Sequence, residues 1–364
     1  MARINEISAL VKEAAREAGF DLAGVAGVRD FPELDRFPEW IAAGRAGDMK
    51  YMQERDEAGR LKRASLQHVA PWARSVIVCA VNYNTMQPYS TEFRAPERGW
   101  ISRYAWSRED YHEEVMKRLR MLEQNLQALV SSEYRVPSTQ SGQNLQTRCY
   151  VDTGPLVERV YAKYAGVGWI GKNTCILNQK LGSWLFLGVI LTSLELDPDL
   201  PAADRCGTCT RCIQACPTEA LIAPYQLDSN RCISYLTIEK RGAIPEEMRD
   251  DMGRHIFGCD ICQDVCPWNR RALATDAPEF QPRPKLVNPA LEWLAEMSAE
   301  QFRNTFRRSP VRRAKLSGLR RNAVIAMGNS GEREFVPLLQ GLATDDDPVV
   351  AESATWALSK LQHS

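Results

Sequence analysis

Two runs of closely spaced cysteines carry the clearest chemistry in this sequence. The first run, C-G-T-C-T-R-C-I-Q-A-C-P, occupies residues 206–217, and the second, G-C-D-I-C-Q-D-V-C-P, occupies residues 258–267. The spacing of the first run and its closing proline are typical of bacterial ferredoxins. In those proteins three cysteines of the run bind one [4Fe–4S] cluster and the fourth binds a second cluster.

With Cys232 between the runs, the sequence supplies two complete sets of four thiolate ligands. Structural zinc also uses four cysteines, but its sites are usually built from C-x2-C pairs without a C-x3-C-P ending. A disulfide framework is disfavoured in a chain of 364 residues that opens without an apolar export segment. We therefore predict two [4Fe–4S] clusters, one bound by Cys206, Cys209, Cys212 and Cys266 and the other by Cys216, Cys232, Cys259 and Cys262.

The composition is that of an ordinary globular protein, with 44% hydrophobic and 25% charged residues. No apolar run approaches the ~20 residues of a membrane span, and a reducing cytoplasm suits both thiols and clusters. A formal net charge of +0 argues against a globally basic nucleic-acid-binding protein. However, residues 303–321 carry Lys and Arg side chains without a single acid. This run could bind phosphate or form an ordinary solvated face.

The apolar patterns predict an α+β protein. Helices are expected at 4–18 and 111–129, and strands at 22–25, 75–81, 146–151 and 184–191. After Pro310, the segment A-V-I-A-M-G at 323–328 is echoed by A-T-W-A-L-S at 354–359, a repetition typical of HEAT-like helical hairpins. The expected domains are a mixed α/β domain at 1–197, a ferredoxin-like two-cluster domain at 198–285 and a HEAT-like helical domain at 286–364.

A long segment rich in Pro, Gly and aromatic residues is predicted to form a loop at 83–105 in the first domain; we call it the aromatic segment. Loops of this length are usually functional. Trp100, Tyr104 and Trp106 could either pack in a core or stack on an extruded base, and the sequence does not decide between the two.

The order of the motifs resembles the epoxyqueuosine reductase family. The motifs are Y-V-D-T-G at 150–154, G-V-G-W-I-G-K-N at 166–173, the two cysteine runs, and R-C-I-S-Y-L-T-I-E at 231–239. The resemblance covers essentially the whole chain. It implies a monomeric cytoplasmic oxidoreductase that uses two [4Fe–4S] clusters, base-off cobalamin in the first domain and a low-potential electron donor. Such an enzyme reduces epoxyqueuosine to queuosine at the wobble position of tRNA.

The resemblance also implies roles for single residues. Asp152 matches the proton donor, although an Asp at this place could simply cap the following helix. Matches to cobalamin contacts are Arg63, Ser102, Asp152, Ile176, Leu187 and Ile190, joined on the cluster side by Ser234, Cys259 and Asp260. Lys240 and Arg241 match a tRNA-contacting segment, to which the basic run adds Arg312, Arg313, Arg320 and Arg321.

Two other functions remain open at this point. A cobalamin-dependent reductive dehalogenase would share the cofactors and the cysteine pattern, but it normally carries a twin-arginine export signal. A non-catalytic two-cluster electron carrier would need neither Asp152 nor cobalamin. The large α/β segment before the cysteine runs favours an enzyme, because a simple carrier has no use for it.

Overall fold

A computed structural model describes residues 2–132 and 145–363. Numbered along the chain, its strands are β1 Leu22–Gly27, β2 Ser75–Asn82, β3 Trp100–Ile101, β4 Thr147–Tyr150, β5 Trp169–Ile170, β6 Ile176–Leu177, β7 Leu185–Thr192 and β8 His255–Phe257. Its helices are α1 Ala2–Glu17, α2 Pro32–Ala42, α3 Tyr111–Ser132, α4 Glu158–Tyr164, α5 Arg211–Gln214, α6 Ile233–Ile238, α7 Glu246–Arg249, α8 Ile261–Asp264, α9 Leu291–Ala295, α10 Ala299–Thr305, α11 Lys315–Ser330, α12 Val336–Leu342 and α13 Pro348–His363. Within these two ranges, none of the helices combines the length and apolarity needed to cross a membrane.

The chain divides into two compact units, each assembled from separate stretches of sequence. Unit 1 contains Met1–Asn84, Tyr111–Cys209 and Pro267–Thr275, and unit 2 contains Thr85–Asp110, Thr210–Cys266 and Asp276–Ser364. This division corrects the expectation of three consecutive domains at 1–197, 198–285 and 286–364. Unit 2 contains most of the second cysteine run, the C-terminal helices and most of the aromatic segment.

Unit 1 is built on an antiparallel four-stranded sheet with the order β1-β2-β7-β4. All eight residues of β2 are buried, as expected from its run of β-branched and small apolar side chains. Ser75 of β2 lies opposite Thr192 of β7, and Tyr150 of β4 lies opposite Val189 on the other side of β7. The strands that the sequence predicted at 22–25, 75–81, 146–151 and 184–191 are confirmed.

Helices cover both faces of this sheet. Because side chains alternate along a strand, Gly188 and Ile190 of β7 point to one face, and Val189 points to the other. On the first face α3 packs so closely that a Cβ at Gly188 would lie 2.9 Å from Val115 Cγ1. On the second face Val189 packs with Val160 of α4. The end of β4 therefore opens beside α3 and α4, where the Y-V-D-T-G motif lies.

In unit 2 a hydrophobic core combines the aromatic segment with the C-terminal helices. Strand β3 pairs in parallel with β8. Trp100 and Trp106 are 2% and 1% exposed and pack edge to face in a core shared with residues of α9, α11 and α13. Both tryptophans are therefore core residues, and stacking on a base is excluded for them because their rings are enclosed. Tyr104 is partly buried against the same core.

Candidate active site and cluster ligands

Asp152 lies just beyond β4 in a left-handed backbone conformation, with a φ of 56°. Few side chains adopt this conformation, but Asp and Asn tolerate it. Gly154 follows because a Cβ there would lie 2.4 Å from Leu156 Cδ2. The resulting turn leaves the Asp152 side chain 44% exposed. Helix α4 begins only at Glu158, with Val157 before it, so the alternative role of Asp152 as a helix cap is not supported.

The carboxyl of Asp152 is contacted from the first turn of α3. The Tyr111 hydroxyl donates a hydrogen bond to Asp152 Oδ2, and His112 Nε2 lies 3.7 Å from the same oxygen. The Tyr111 ring is held in place by stacking on Phe186 of β7, with ring centroids 4.3 Å apart. The sequence gives no sign of these two partners, because nothing in the pattern of α3 distinguishes Tyr111 from an ordinary apolar helix residue.

Glu158 places a second carboxyl near Asp152. Its Oε1 atom is buried and has no hydrogen-bond partner among the described residues. Burial above all, and then the charge of Asp152, raise the pKa of Glu158 to about 8, against opposing effects of Arg63 and Arg159. Glu158 is therefore mainly neutral at pH 7. Because the charge of Arg63 acts on the pKa of Glu158, Arg63 lies on the same side of unit 1 as Glu158 and Asp152.

The other residues of unit 1 that were matched to cobalamin contacts occupy different environments. Ile176 is 4% exposed and packs in the α4 core, and Leu187 is partly buried against that core. Ile190 is 0% exposed, and it pairs with Ile77 of β2 and Cys149 of β4 beneath α3. A contact of Ile176, Leu187 or Ile190 with cobalamin would therefore use backbone groups more than side chains, and it stays a prediction.

Ser102 and Asp260 of unit 2 bind each other. Asp260 is 1% exposed and accepts hydrogen bonds from the Ser102 hydroxyl, from Trp100 Nε1 at 2.9 Å and from the Arg103 backbone N–H at 2.8 Å. The contacts of Ser102 and Asp260 with cobalamin stay predictions. The observed role of these two side chains is to hold the aromatic segment against the peptide of the second cysteine run.

Three cysteines of one predicted ligand set approach each other in unit 2. The thiol of Cys259 lies within electrostatic range of Cys232 and Cys216, and burial holds its pKa well above the usual range. Backbone N–H groups are directed at these sulfurs, including that of Ala220 at 3.3 Å from Cys216 Sγ. Cys262, the fourth member of the set, lies in α8 of the same unit.

Ser234 belongs to the surroundings of this set. Its hydroxyl and its backbone N–H are both hydrogen-bonded to the Cys232 sulfur, at the start of α6. Donors of this kind favour a thiolate over a thiol. The contacts of Ser234 and Cys259 with cobalamin stay predictions.

The second predicted ligand set is divided between the units. Cys206 and Cys209 belong to unit 1, and Cys212 and Cys266 belong to unit 2. In unit 1, Lys172 Nζ donates to the carbonyl oxygens of Gly207 at 2.6 Å and Cys209 at 3.0 Å. No disulfide joins any of the eleven cysteines, all of which lie in the described part of the chain. Across residues 2–132 and 145–363, no three or more His, Cys, Asp or Glu side chains are grouped as the ligands of a single metal ion.

Two arginines predicted to bind tRNA are structural residues of unit 2. Arg321 is 1% exposed, and its guanidinium donates to the carbonyl oxygens of Leu236, Lys240 and Gly242. Arg320 is mostly buried, where it donates to Ala295 O at 2.7 Å and binds the carboxylate of Asp345 at 2.6 Å. The structure corrects both predictions, because these guanidinium groups are occupied inside the protein.

The remaining cations of this prediction lie at the surface. Arg241, Arg312 and Arg313 are exposed and Lys240 is half-buried. Arg241 also donates to the carbonyl oxygen of Arg313 at 2.8 Å, which links the 240–241 segment to the basic run. We call Lys240, Arg241, Arg312 and Arg313 the basic surface.

The chain is similar to known proteins over the segment that carries Asp152 and over the segment that carries the two cysteine runs. The family model described as "Epoxyqueuosine reductase QueG, DUF1730" matches residues 63–153, and the "4Fe-4S double cluster binding domain" matches residues 205–269. The chain is 38% identical over 360 residues to the epoxyqueuosine reductase of Xanthomonas campestris pv. campestris, an alignment that covers 98% of this chain and 96% of that protein.

Solved structures show the same similarity. An epoxyqueuosine reductase in complex with an epoxyqueuosine-modified tyrosine tRNA stem loop has a TM-score of 0.85 and 30% identity, over 98% of this chain and 90% of the other. The Bacillus subtilis epoxyqueuosine reductase, in a structure with its catalytic aspartate loop swung out of the active site, has a TM-score of 0.84 and 30% identity over the same shares.

Proposed function

The chain belongs to the epoxyqueuosine reductase family, and we propose that it reduces epoxyqueuosine in tRNA with electrons passed through two [4Fe–4S] clusters to cobalamin. The observation that carries this proposal is the similarity to epoxyqueuosine reductases over almost the entire chain. The structure with a modified stem loop supports tRNA as the substrate. We further propose a cytoplasmic monomer supplied by a low-potential electron donor.

Asp152 is proposed to be the proton donor. Converting the epoxide to an alkene removes its oxygen as water, which requires two electrons and two protons. Asp152 presents an exposed carboxyl on a defined turn, and the Tyr111 hydroxyl orients it. The catalytic loop of the Bacillus subtilis enzyme also carries an aspartate, which supports this role. A positioned acid contributes by protonating the leaving oxygen as the bond breaks.

The two sets of cysteines have the donor chemistry that [4Fe–4S] clusters require. Backbone N–H groups directed at Cys216, Cys232 and Cys259 support thiolates bound to iron. We therefore propose one cluster on Cys216, Cys232, Cys259 and Cys262, and the other on Cys206, Cys209, Cys212 and Cys266.

Four of the matched residues of unit 1 have the chemistry that a large ring with apolar faces and a polar edge requires. Leu187 and Ile176 supply apolar contact, and Arg63 and Asp152 supply charge for polar substituents. We propose that these four residues hold cobalamin. When bound, the clusters and cobalamin would supply the two electrons at low potential. The protein then has to exclude water and deliver protons at Asp152.

The basic surface is proposed to bind tRNA phosphates. Arg241 of this surface lies near a buried positive charge, since burial and then the charges of Arg241 and Arg249 lower the pKa of Arg321 to about 10. Arg321 remains protonated at neutral pH and adds to the positive potential of this face. Electrostatic attraction to phosphates supplies much of the affinity of nucleic-acid-binding proteins.

Replacing Arg312 and Arg313 by Gln should weaken tRNA binding and flatten its salt dependence. Each lost phosphate contact should lower the slope of log affinity against log salt by about one. Binding of an anticodon stem loop should be measured at several salt concentrations. Arg333→Gln is the matched control, because Arg333 is also an exposed cation of unit 2 but lies outside the basic run. An unchanged slope in the double variant would make residues 303–321 an ordinary solvated face.

The function is tested by turnover of an anticodon stem loop that carries epoxyqueuosine. The purified chain is reconstituted with iron and sulfide, supplied with cobalamin and a low-potential reductant, and the nucleoside product is identified by mass spectrometry. Formation of queuosine supports the proposal. Unchanged epoxyqueuosine, recovered from protein that holds both clusters and cobalamin, would contradict it.

A further inference from the structure

Trp169 has a buried indole N–H without a nitrogen or oxygen acceptor. The residue lies in β5 of unit 1 and is 2% exposed, and its Nε1 atom makes no standard hydrogen bond within the described structure. The ring is fixed by edge-to-face packing on Trp268, with centroids 5.0 Å apart and planes at 76°. An unsatisfied buried donor is costly. Its presence in a well-packed position therefore requires an explanation.

The Trp169 indole lies close enough to the sulfur of Cys206 to oppose the rise in the pKa of that thiol that burial causes. The backbone N–H of Lys172 approaches the same sulfur. Cys206 is one of the predicted cluster ligands, and a sulfur bound to iron keeps negative charge and accepts hydrogen bonds. The two donors thus lie near an atom that would become a better acceptor with iron bound.

Lys172 adds a positive charge beside the same ligand loop. Its ammonium group donates to the carbonyl oxygens of Gly207 and Cys209 at 2.6 and 3.0 Å. The turn that carries Lys172 is closed by a hydrogen bond from Gly171 N to Cys175 O at 2.8 Å. The segment from Trp169 to Lys172 therefore presents an indole N–H, a backbone N–H and a cation to one loop of cluster ligands.

We propose that Trp169 and Lys172 set the reduction potential of the cluster that binds Cys206. The inference rests on the proposed function, since it requires an iron–sulfur cluster at this position. Reduction adds one negative charge to the cluster, so hydrogen-bond donors and a nearby cation stabilise the reduced form more than the oxidised form. They therefore raise the potential, in keeping with the known dependence on hydrogen bonds to the sulfurs and on charge. A higher potential makes this cluster easier for the electron donor to reduce.

Trp169→Phe tests the proposal because it keeps an aromatic ring against Trp268 and removes only the N–H. The midpoint potential should be measured by an EPR-monitored titration of reconstituted protein. A Cys259→Ser background isolates the cluster on Cys206, because Cys259 belongs to the other set. Trp169→Phe should reduce the ratio of reduced to oxidised cluster about tenfold at a fixed potential, which is a decrease of about 59 mV for one electron.

Three further variants separate tuning from general damage. Trp72→Phe makes the same replacement at a partly buried tryptophan of unit 1 that packs against the sheet core, and it should leave the potential unchanged. Lys172→Met should lower the potential, and Lys172→Arg should restore most of it by keeping the charge. An unchanged potential in Trp169→Phe, with full iron content, would overturn the proposal.

A measurement on the parent protein covers the case in which Trp169→Phe fails to assemble its cluster. Protein labelled with heavy nitrogen in its tryptophan indoles should show magnetic coupling of one indole nitrogen to a reduced cluster in pulsed EPR. Absence of this coupling would overturn the proposal. If the parent protein instead binds zinc without labile sulfide, the proposed function itself fails, so the two failures are distinguishable.

Discussion

Asp152→Asn is expected to fold, keep both clusters and bind cobalamin, yet to lose roughly 10²–10⁴-fold in single-turnover rate. Asn tolerates the left-handed conformation that Asp152 adopts at a φ of 56°, and its amide oxygen can still accept the hydrogen bond from Tyr111. The substitution removes only the transferable proton. The expected loss corresponds to about 3 kcal/mol or more in the barrier.

The rate of Asp152→Asn should be measured with a stem loop that carries epoxyqueuosine, with pre-reduced protein in excess. Asp35→Asn is the matched control, because Asp35 is an exposed carboxylate on α2 of the same unit. It should keep the parental rate. A rate within a few-fold of the parent in Asp152→Asn would remove Asp152 from proton transfer and leave that role to water or the substrate.

Cys259→Ser should eliminate one cluster and abolish turnover. The Cys259 thiol lies near those of Cys232 and Cys216, so its loss removes a ligand from a single set. Iron should fall from about eight to about four atoms per chain. Because electrons must pass through the missing cluster, tRNA reduction should stop although the stem loop still binds. Iron, labile sulfide and stem-loop binding should be measured on the same anaerobic preparation.

Cys175→Ser controls for the general effect of replacing a cysteine. Cys175 is half-buried beside β6 of unit 1 and belongs to neither predicted set. Its replacement should leave about eight iron atoms per chain and a normal rate. Full iron content and normal turnover in Cys259→Ser would show that this cysteine is not a ligand, and the assignment of the set would then be wrong.

The strands of unit 1 could be predicted from sequence because their apolar character is local. Strand β2 is apolar from Val76 to Val81, and all eight of its residues are buried. The antiparallel pairing of β2 with β7 could not be predicted, because α3 and β4 lie between them in the chain and tertiary packing selects the partners. The division into two units could not be predicted either, because each unit combines stretches that are distant in the sequence.

The candidate site shows the same limit. The cysteines could be recognised as cluster ligands because the ferredoxin spacing lies within one short run of sequence. The contact between Tyr111 and Asp152 joins residues 41 positions apart, and it forms only when the start of α3 meets the turn after β4. No local sequence pattern indicates that these two residues are in contact.

The arginines of the basic run show that a cluster of charges in the sequence does not reveal which side chains are buried. An arginine on a helix normally faces solvent, and it is rarely buried unless its guanidinium is paired. Arg321 is enclosed because three backbone carbonyl groups near α6 accept its hydrogen bonds. These acceptors lie far away in sequence, so the run from 303 to 321 could not show which cations point inward.

The dependence of turnover on cobalamin tests the proposed function most directly. Protein reconstituted with both clusters is divided, and one half receives cobalamin before a low-potential reductant and a limiting epoxyqueuosine stem loop are added anaerobically. We expect complete conversion to queuosine in the half with cobalamin and none above background in the other. Equal conversion in the two halves, or no conversion in either, would contradict the proposal.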